Sequence, residues 1–417
     1  MTPKLIRIKQ NFPNEYIANI EDEVIREIQK SKVKFAKGSN IAIAVGSRGI
    51  NNIHRIVKAT TMYLKAMGTN PFIVPAMGSH GGAIAEGQRE VLKSYGITEE
   101  YIGVPIRSSM EVIELPQENL CHKVFIDRYA YEADNIIVIN RVKVHTDFHG
   151  NTESGLLKMC VIGLGKHRQA LEMHRYGVQG LREMVPIAAK HILRHAKIVL
   201  GIGIVENAYD QTTVIKAVRP EVMEEEEVKL LDICRKNMPR LPVEKLDLLI
   251  VDEMGKDITG TGLDPNIIGR IKIQNEKEPE IPEITNIVVM DLTENSHGNA
   301  LGMGLADFIT KRLYDKINFN ATYENVLTST FLERGKMPIV ADTDKKAVQY
   351  ALRTCGPINP ENARIIRIKN TLRLGELFVS QHVYQEIKGN NYIEVMGEFE
   401  EIFNEQGLLK DFKLEMH

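Results

Sequence analysis

The stretch IAIAVGSRG at residues 41–49 decides the fold, because it joins a short apolar run to a polar loop between glycines. A run of this length that ends at such residues predicts a buried strand followed by a loop. Apolar residues recur at helical spacing over residues 51–68, and a second apolar run at 72–77 leads into GSHGG at 78–82. A strand, a helix and a strand in this order predict a βαβ unit with a parallel sheet.

The same alternation continues along the chain, and it predicts an α/β fold with two α/β domains, mainly parallel sheets and a cleft between the domains. We expect a catalytic and cofactor-binding domain over residues 1–240 and a second domain over 241–384. The segment from about 385 to 417 is expected to pack back on the first domain. Further strands are predicted at 135–140, 197–205, 248–251, 287–290 and 365–368, and helices at 86–95, 179–197, 224–238, 300–317, 320–333 and 342–354.

Two predictions concern the ends of these helices. The acidic run at 224–227 opens a helix, where carboxylates complement the helix dipole, and we interpret it as a solvated helix face. Asp342 is the predicted N-cap of the helix at 342–354.

Composition excludes several classes of function. The chain has 417 residues, a hydrophobic fraction of 43% and a net charge of −2, which gives no electrostatic basis for binding nucleic acid. No run of eighteen or more apolar residues predicts a membrane span, and the first residues do not read as a signal peptide. The four cysteines form no Cys-x-x-Cys pair, which argues against a zinc ribbon or an iron–sulfur cluster. We expect a cytoplasmic protein.

The glycine-rich loops do not predict a nucleotide site of the common kinds. Gly163-Leu164-Gly165 lacks the third glycine of the dinucleotide motif, and Gly201 and Gly203 lie inside an apolar strand. The chain contains no GxxxxGK[ST] motif, so a conventional NAD or ATP site is not expected.

Chemically active side chains concentrate after the predicted strand at 135–140. His145, Asp147 and His149 follow it closely, and Lys158 and His174 come next. Histidine changes charge near neutral pH and is the commonest metal ligand, so the segment predicts proton transfer, metal binding or both. Because ligands bind outside the carboxyl ends of parallel strands, we expect the segments that follow residues 45, 77 and 140 to meet at one edge of the sheet.

One alternative is a zinc-dependent hydrolase that uses His145, His149 and Asp147. The H-x-x-x-H spacing would place both imidazoles on one face of a helix. The pair follows a strand and precedes Gly150-Asn151, and no Glu follows the first histidine.

Several motifs in order resemble the lactate racemase family, whose members use a nickel-pincer nucleotide. They are Ser47-Arg48 after the first strand, Ser79-His80-Gly81 after the second, the histidine-rich stretch that leads to SGLLK at 154–158, and His174 sixteen residues beyond Lys158. The chain departs from the family pattern at Val45, where an Asp is usual, and in lacking a Gly-Gly pair before Lys158. It therefore resembles a divergent branch.

The resemblance implies an isomerase that racemises or epimerises a 2-hydroxy acid by hydride transfer to and from the cofactor. Lys158 would be tethered to the nucleotide and His174 would bind nickel. Acid–base residues would be His80 and one of His145 and His149, with His145 preferred because it ends the strand.

The resemblance also implies how substrate and cofactor are held. The substrate carboxylate would be bound by Arg48, with Lys256 and Arg270 from the second domain. From its residues alone, the polar run that includes Asn151, Thr152, Ser154 and Gly155 is expected to present hydroxyls and backbone N–H groups to the nucleotide phosphate, and the alternative is a flexible loop with no phosphate partner. The implied partners are a hydroxy-acid substrate and the enzymes that make the cofactor, and a non-catalytic relative that binds an anion is a third hypothesis.

Overall fold

The computed structural model describes residues 3–47 and 49–412 of the chain, so Arg48 lies outside the described residues. The chain forms two compact units. The first unit is Pro13–Met238, and the second combines residues 3–12 with residues 239–412.

The helices and strands follow in chain order. The strands are β1 (Lys4–Gln10), β2 (Asn40–Val45), β3 (Asn70–Pro75), β4 (Val112–Glu114), β5 (Phe125–Asp127), β6 (Asn135–Arg141), β7 (Ile198–Glu206), β8 (Thr212–Val218), β9 (Lys245–Val251), β10 (Glu283–Val289), β11 (Phe308–Thr310), β12 (Ile339–Ala341), β13 (Ile365–Asn370), β14 (Arg373–Ser380), β15 (Ile393–Val395) and β16 (Glu400–Glu401). The α-helices are α1 (Ile20–Ser31), α2 (Ile53–Ala66), α3 (Ala85–Ser94), α4 (Glu99–Ile102), α5 (Arg128–Glu132), α6 (Leu156–Lys158), α7 (Lys166–His174), α8 (Gly177–Gln179), α9 (Val185–His195), α10 (Met223–Asn237), α11 (Pro265–Ile268), α12 (Lys311–Asp315), α13 (Phe319–Ser329), α14 (Asp344–Arg353) and α15 (Gln381–Ile387). Two π-helical turns, Met159–Gly163 and Gly180–Met184, follow α6 and α8.

The first unit is built on a five-stranded sheet in the order β3-β2-β6-β7-β8. Neighbouring strands from β3 to β7 are parallel, and β8 pairs with β7 in the antiparallel direction. The predicted α/β class with mainly parallel sheets is confirmed. Strands β4 and β5 form a separate antiparallel pair.

Side chains of β2 alternate between the two faces of this sheet, as the period of two in a strand requires. Ile41, Ile43 and Val45 join a core that also contains buried residues of α1 and α2. Ala42 and Ala44 join the opposite core, which contains buried residues of α6, α9 and the π-helical turn Met159–Gly163. Because both faces are covered by helices, the strands read as nearly continuous apolar runs.

The second unit contains a nine-stranded sheet, and this differs from the predicted domain division. Strands β12-β11-β10-β9-β13 are parallel, and β14, β1 and β15 extend the sheet in the antiparallel direction, with β16 also on β1. We predicted residues 1–12 in the first domain, and we expected the segment after about 385 to pack there too. The backbone of β1 instead pairs with β14, β15 and β16 inside the second unit.

Two local predictions are wrong. The helix expected over 300–317 contains β11, because residues 308–310 complete the parallel sheet between β10 and β12, and only Lys311–Asp315 is α-helical. The N-cap of α14 is Thr343, whose side chain accepts a hydrogen bond from the backbone N–H of Lys346, whereas Asp342 forms an ion pair with the Lys346 side chain. None of the helices in the described residues has the length and apolar character that crossing a membrane demands.

A fully buried ion pair joins separate segments of the first unit. The Lys166 amine lies 3.2 Å from the Asp127 carboxylate, and both side chains have no exposed surface. Lys166 also donates to the backbone carbonyl of Pro75 and, at 3.1 Å, to Oε1 of Gln88. The amine therefore ties α7 to the end of β3, to α3 and to β5.

Lys166→Met is expected to lower the free energy of unfolding by about 3–5 kcal/mol, because it leaves a buried carboxylate without its cation. Urea denaturation measures the change. The control is Lys190→Met, since the Lys190–Glu224 pair is largely exposed and contributes about 0–1 kcal/mol. The double variant Asp127→Asn/Lys166→Met should recover part of the loss, and equal stability of Lys166→Met and the wild type would contradict this role.

Candidate active site at the carboxyl edge of the first sheet

The loops that follow β2, β3 and β6 meet at one edge of the sheet. The N–H of Gly46 donates to the Ile139 carbonyl at 3.3 Å, and the N–H of Ala76 donates to the Val45 carbonyl at 2.9 Å. Ser47 follows β2 and His80 follows β3, and a 2.6 Å hydrogen bond joins the serine hydroxyl to Nδ1 of the histidine. Residues more than thirty positions apart thus share a site, as the parallel topology requires.

The loop that carries His80 is held against α3 by two glycines. Gly81 has a φ of +65°, which favours glycine. A Cβ on Gly87 would lie 1.9 Å from the Gly81 carbonyl oxygen, so the two backbones can come this close only because residue 87 has no side chain. The buried Gln88 side chain donates to the Gly78 carbonyl at 2.9 Å and to the His80 carbonyl at 3.3 Å. The backbone of His80 is therefore fixed by a buried amide.

The His80 loop also contacts the segment that follows α6. The N–H of Gly78 donates to the Gly163 carbonyl at 3.3 Å. A Cβ on Gly78 would lie 3.1 Å from the Ile162 side chain and 3.9 Å from the Ala170 side chain. The loop is thus packed on the helical segment that carries Lys158 and His174.

The loop at residues 142–155, which we call the histidine loop, is closed by backbone pairing. The N–H of Lys143 donates to the Ser154 carbonyl at 2.8 Å, and the N–H of Ser154 donates back to the Lys143 carbonyl at 3.3 Å. Asn140, at the end of β6, donates from its side chain to the Gly155 carbonyl at 2.9 Å. These bonds fix both ends of the loop to the strand that precedes it.

A buried carboxylate organises the inside of the histidine loop. The Glu153 side chain has no exposed surface and accepts from the His145 N–H at 2.5 Å and from the Gly150 N–H at 3.4 Å. Arg235 on α10 lies 2.8 Å from the same carboxylate. The negative charge is thus neutralised by one guanidinium and held by two backbone donors.

His145 and Lys158 are in direct contact. The Lys158 amine lies 2.7 Å from Nε2 of His145, and the N–H of Asp147 points to the other ring nitrogen, Nδ1, at 3.1 Å. Phe148, which is buried, packs on the imidazole with ring centroids 4.5 Å apart. The Lys158 amine and the Asp147 N–H therefore contact the two ring nitrogens of His145 from opposite sides of the ring.

His174 is presented in a form that suits metal binding. Its Nδ1 lies 2.5 Å from the Ala170 carbonyl, so the ring proton is on Nδ1 and the lone pair is on Nε2. The residue as a whole is exposed at the surface. Protein atoms around the ring still remove part of its solvation, and this desolvation lowers the pKa of the imidazole. The charge of Lys158 acts in the same direction. The neutral ring is the metal-binding form.

A second buried carboxylate lies at the start of the helix that carries Lys158. Oε2 of Glu227 accepts from the Leu157 N–H at 2.8 Å, and a Cβ on Gly155 would lie 2.5 Å from the carboxyl carbon. Burial raises the pKa of Glu227 to about 7. The predicted solvated face at 224–227 is therefore wrong for Glu227, which is fully buried.

The predicted phosphate-facing residues lie on the histidine loop in different environments. Asn151 is exposed, Thr152 is buried, and the N–H of Ser154 is engaged by Lys143. Gly155 is buried against Glu227. The backbone donor of Ser154 is thus used within the loop and is not directed at a ligand.

Residues predicted to bind substrate from the second unit are engaged there. Arg270 donates to Asp307 at 2.6 Å and to the carbonyls of Leu305, Ile284 and Thr285. These bonds use its guanidinium to join β10 to the segment just before β11, so the arrangement does not support a substrate-binding role. The Lys256 amine contacts the Gly260 carbonyl at 2.6 Å and Asn325 at 2.8 Å.

The geometry does not favour a zinc site made of His145, Asp147 and His149. Within residues 3–47 and 49–412, the three-residue group with metal-ligand spacing is a different one, Glu118 with His191 and His195. The His149 side chain is half exposed, and its Nδ1 lies 3.4 Å from Glu153. Cys160 is fully buried, and burial raises the pKa of its thiol, so it is inert.

From the sequence, no role is predicted for Glu153 or Arg235, and Glu227 is placed only on a solvated helix face. The sequence did contain a signal for Glu227. This residue lies on one helix face with three apolar residues, Met223, Leu230 and Leu231, and such a face is usually buried. The sequence carries no comparable signal for Arg235, whose partner lies 82 positions away.

Comparison with known proteins places the chain in a family. A family model described as a domain of unknown function, DUF362, matches residues 40–252. The chain belongs to the DUF362 family, and the matched region spans the strand edge described above. None of the curated proteins matches the chain in sequence.

Two solved structures share the fold. A structural-genomics target from Thermotoga maritima is similar with a TM-score of 0.53 and 14% identity, over 87% of this chain and 98% of its own. The lactate racemase apoprotein from Thermoanaerobacterium thermosaccharolyticum is similar with a TM-score of 0.51 and 14% identity, over 88% of this chain and 98% of its own. The distant relation to the lactate racemase family is thus one of fold.

The buried Glu227 carboxyl predicts a pH-dependent stability. Its pKa is raised from 4.5 to about 7 in the folded protein, so the folded state binds more protons than the unfolded state between these values. The free energy of unfolding contributed by this group should fall by up to about 3 kcal/mol as pH rises through that window. Denaturation of the wild type and Glu227→Gln from pH 4.5 to 8 measures it.

In Glu227→Gln the free energy of unfolding should fall less steeply with pH, while the hydrogen bond from the Leu157 N–H is kept. The matched variant Glu226→Gln, on the same helix and paired with Lys229 at the surface, should leave the slope unchanged. A parallel pH dependence in the wild type and Glu227→Gln contradicts the assignment.

Proposed function

We propose that this chain is a racemase or epimerase of a 2-hydroxy acid that works with a nickel-pincer nucleotide. The observation that carries the proposal is the contact between Lys158 and His145, at the strand edge that also carries His80 and His174. The shared fold with the lactate racemase apoprotein supports it, as does the order of these residues along the chain.

The residues of this edge fit such a cofactor. His174 directs its proton to a backbone carbonyl, and this leaves the Nε2 lone pair to bind nickel. Lys158 supplies an amine for attachment to a thioacid arm of the nucleotide. When bound, the nucleotide would supply a centre that exchanges hydride with the substrate α-carbon.

The protein would supply the proton transfers. A racemase handles two enantiomers, so it needs two bases with comparable proton affinity, and imidazoles suit this near neutral pH. His145 would take the hydroxyl proton of one enantiomer, and its contact with Lys158 places it beside the point where the cofactor would be attached. His80 would serve the other enantiomer, with its Nδ1 held by the Ser47 hydroxyl.

Other parts of the site would position these groups. Phe148 packs on the His145 ring, and the buried Glu153 carboxylate holds the His145 backbone. Arg48 is proposed to bind the substrate carboxylate, since a guanidinium suits a bidentate contact. Lys256 is proposed as a further contact for this carboxylate, and Asn151 and Thr152 are proposed to contact the nucleotide. The enzymes that make the cofactor are the proposed partners.

The proposal predicts that His145→Asn lowers the rate of interconversion about 10²–10⁴-fold, because one positioned acid–base group is lost. The measurement uses protein co-expressed with the cofactor-making enzymes and chiral chromatography of single-enantiomer hydroxy acids. His149→Asn is the matched control on the same loop, since its ring is half exposed, and it should retain most of the activity.

Two readouts decide between routes. Intact mass should show a cofactor adduct that is lost in Lys158→Ala, and the product formed in deuterated water should carry no deuterium at C2. Deuterium at C2 would mean that the α-hydrogen exchanges with solvent. The reaction would then proceed by enolisation and not by internal return of hydride. No interconversion of any hydroxy acid by the cofactor-loaded protein would favour a non-catalytic anion-binding relative.

A further inference from the structure

A second cluster of histidines lies on α9, apart from the strand edge described above. His191 and His195 are one turn apart on this helix, and Glu118 approaches them from the loop between β4 and β5. The carboxylate lies 2.7 Å from Nε2 of His195 and 3.5 Å from Nδ1 of His191. All three potential ligand atoms lie within 4.8 Å of one another.

The inner histidine of this cluster is buried without good hydrogen bonds. His191 has no exposed surface, and neither of its ring nitrogens makes a hydrogen bond of good geometry within the described residues. Polar groups near the ring include the Pro116 backbone and the Glu118 carboxylate, 3.5 Å from Nδ1. A buried polar group in this state loses the solvation that water would provide, so a polar partner at that point stabilises the fold. A bound cation would be such a partner for the lone pair of one ring nitrogen.

The surroundings of His191 add a second buried imidazole. His122 is also buried, and its Nε2 has no partner within the described residues. Burial lowers the pKa of His122, and His191 is near enough to contribute to that shift. His122 thus adds a second buried imidazole in the neighbourhood of His191.

We propose that Glu118, His191 and His195 bind a divalent zinc ion. Two imidazole nitrogens and one carboxylate oxygen are the protein ligands of many zinc sites, and the fourth position is then taken by water. Oxygen-preferring cations such as Mg²⁺ and Ca²⁺ rarely take imidazole ligands, so the donor set favours zinc.

The spacing of the ligand atoms is compatible with this assignment. Zinc binds nitrogen and oxygen ligands at about 2.0–2.2 Å, so two tetrahedral ligands lie roughly 3.4 Å apart. The 3.5 Å separation between Oε2 of Glu118 and Nδ1 of His191 is close to that value. The 2.7 Å contact between Oε1 of Glu118 and Nε2 of His195 is a hydrogen bond that the ion would replace. Glu118 is held in the left-handed region with a φ of +48°, an uncommon conformation for a residue other than glycine.

The ion would join α9 to the loop between β4 and β5. Glu118 is partly exposed, with 42% of its side-chain surface accessible, and His195 is 28% exposed, so solvent reaches the site from one side. Arg194 lies 3.5 Å from the same carboxylate and balances its charge. A metal that binds only the folded state raises the free energy of unfolding by RT ln(1 + [metal]/Kd), and the thermal midpoint rises with it.

The test is the binding of Zn²⁺ to the full chain, measured by calorimetry and by competition with a chromogenic chelator. All proteins carry His174→Ala, so that the proposed nickel ligand does not contribute a second metal site. We expect one Zn²⁺ per chain, and Zn²⁺ at about one hundred times its Kd should raise the Tm by about 5–10 °C. His195→Ala and Glu118→Gln should each weaken binding at least about tenfold.

Two controls separate coordination from a general loss of charge or stability. Arg194→Ala removes a charge beside Glu118 without removing a ligand and should not weaken binding. His382→Ala removes an exposed histidine from α15, in the second unit, and should have no effect. Co²⁺ in the same background should show the visible spectrum of a tetrahedral site, which His195→Ala should abolish.

Equal affinity and stoichiometry in His195→Ala, or no binding of Zn²⁺ at micromolar concentrations, would overturn the proposal. Because the test measures metal binding in the His174→Ala background, it does not depend on racemase activity. Zinc binding at this site, together with no isomerisation of any hydroxy acid by the cofactor-loaded protein that retains His174, would support this site and contradict the proposed function.

Discussion

The parallel order of β3, β2 and β6 is the constraint on which the candidate site depends. Parallel strands point their carboxyl ends the same way, so the three loops that follow them must leave the sheet at one edge. The hydrogen bonds from Gly46 to Ile139 and from Ala76 to Val45 show this adjacency directly. Without this topology, Ser47, His80 and His145 would have no reason to share a site.

Two buried carboxylates then give the edge its shape. Glu153 binds the backbone of the histidine loop from inside, and its charge is balanced by Arg235. Glu227 accepts from the first turn of the helix that carries Lys158, and its burial makes that position sensitive to pH. Buried charges are expensive unless they are paired or bonded, so both residues constrain the conformations that the loop can adopt.

The first unit therefore contains two histidine clusters with different surroundings. His145 contacts an amine and an aromatic ring at a strand edge, an arrangement suited to moving protons. His191 and His195 lie one turn apart on a helix beside a carboxylate, an arrangement suited to holding a cation. Residue type alone does not distinguish the two, since both clusters are made of imidazoles and acids.

The sequence by itself determined the α/β class, most strands of the first unit and the segments that carry the candidate site, because apolar period and strand-end glycines are local signals. Tertiary structure decided which residues are in contact. It placed β1 in the second unit, buried Glu227 in place of the predicted solvated face, and gave Arg270 internal partners. Such outcomes depend on pairings between segments far apart in the chain, and a local pattern carries no information about the partner.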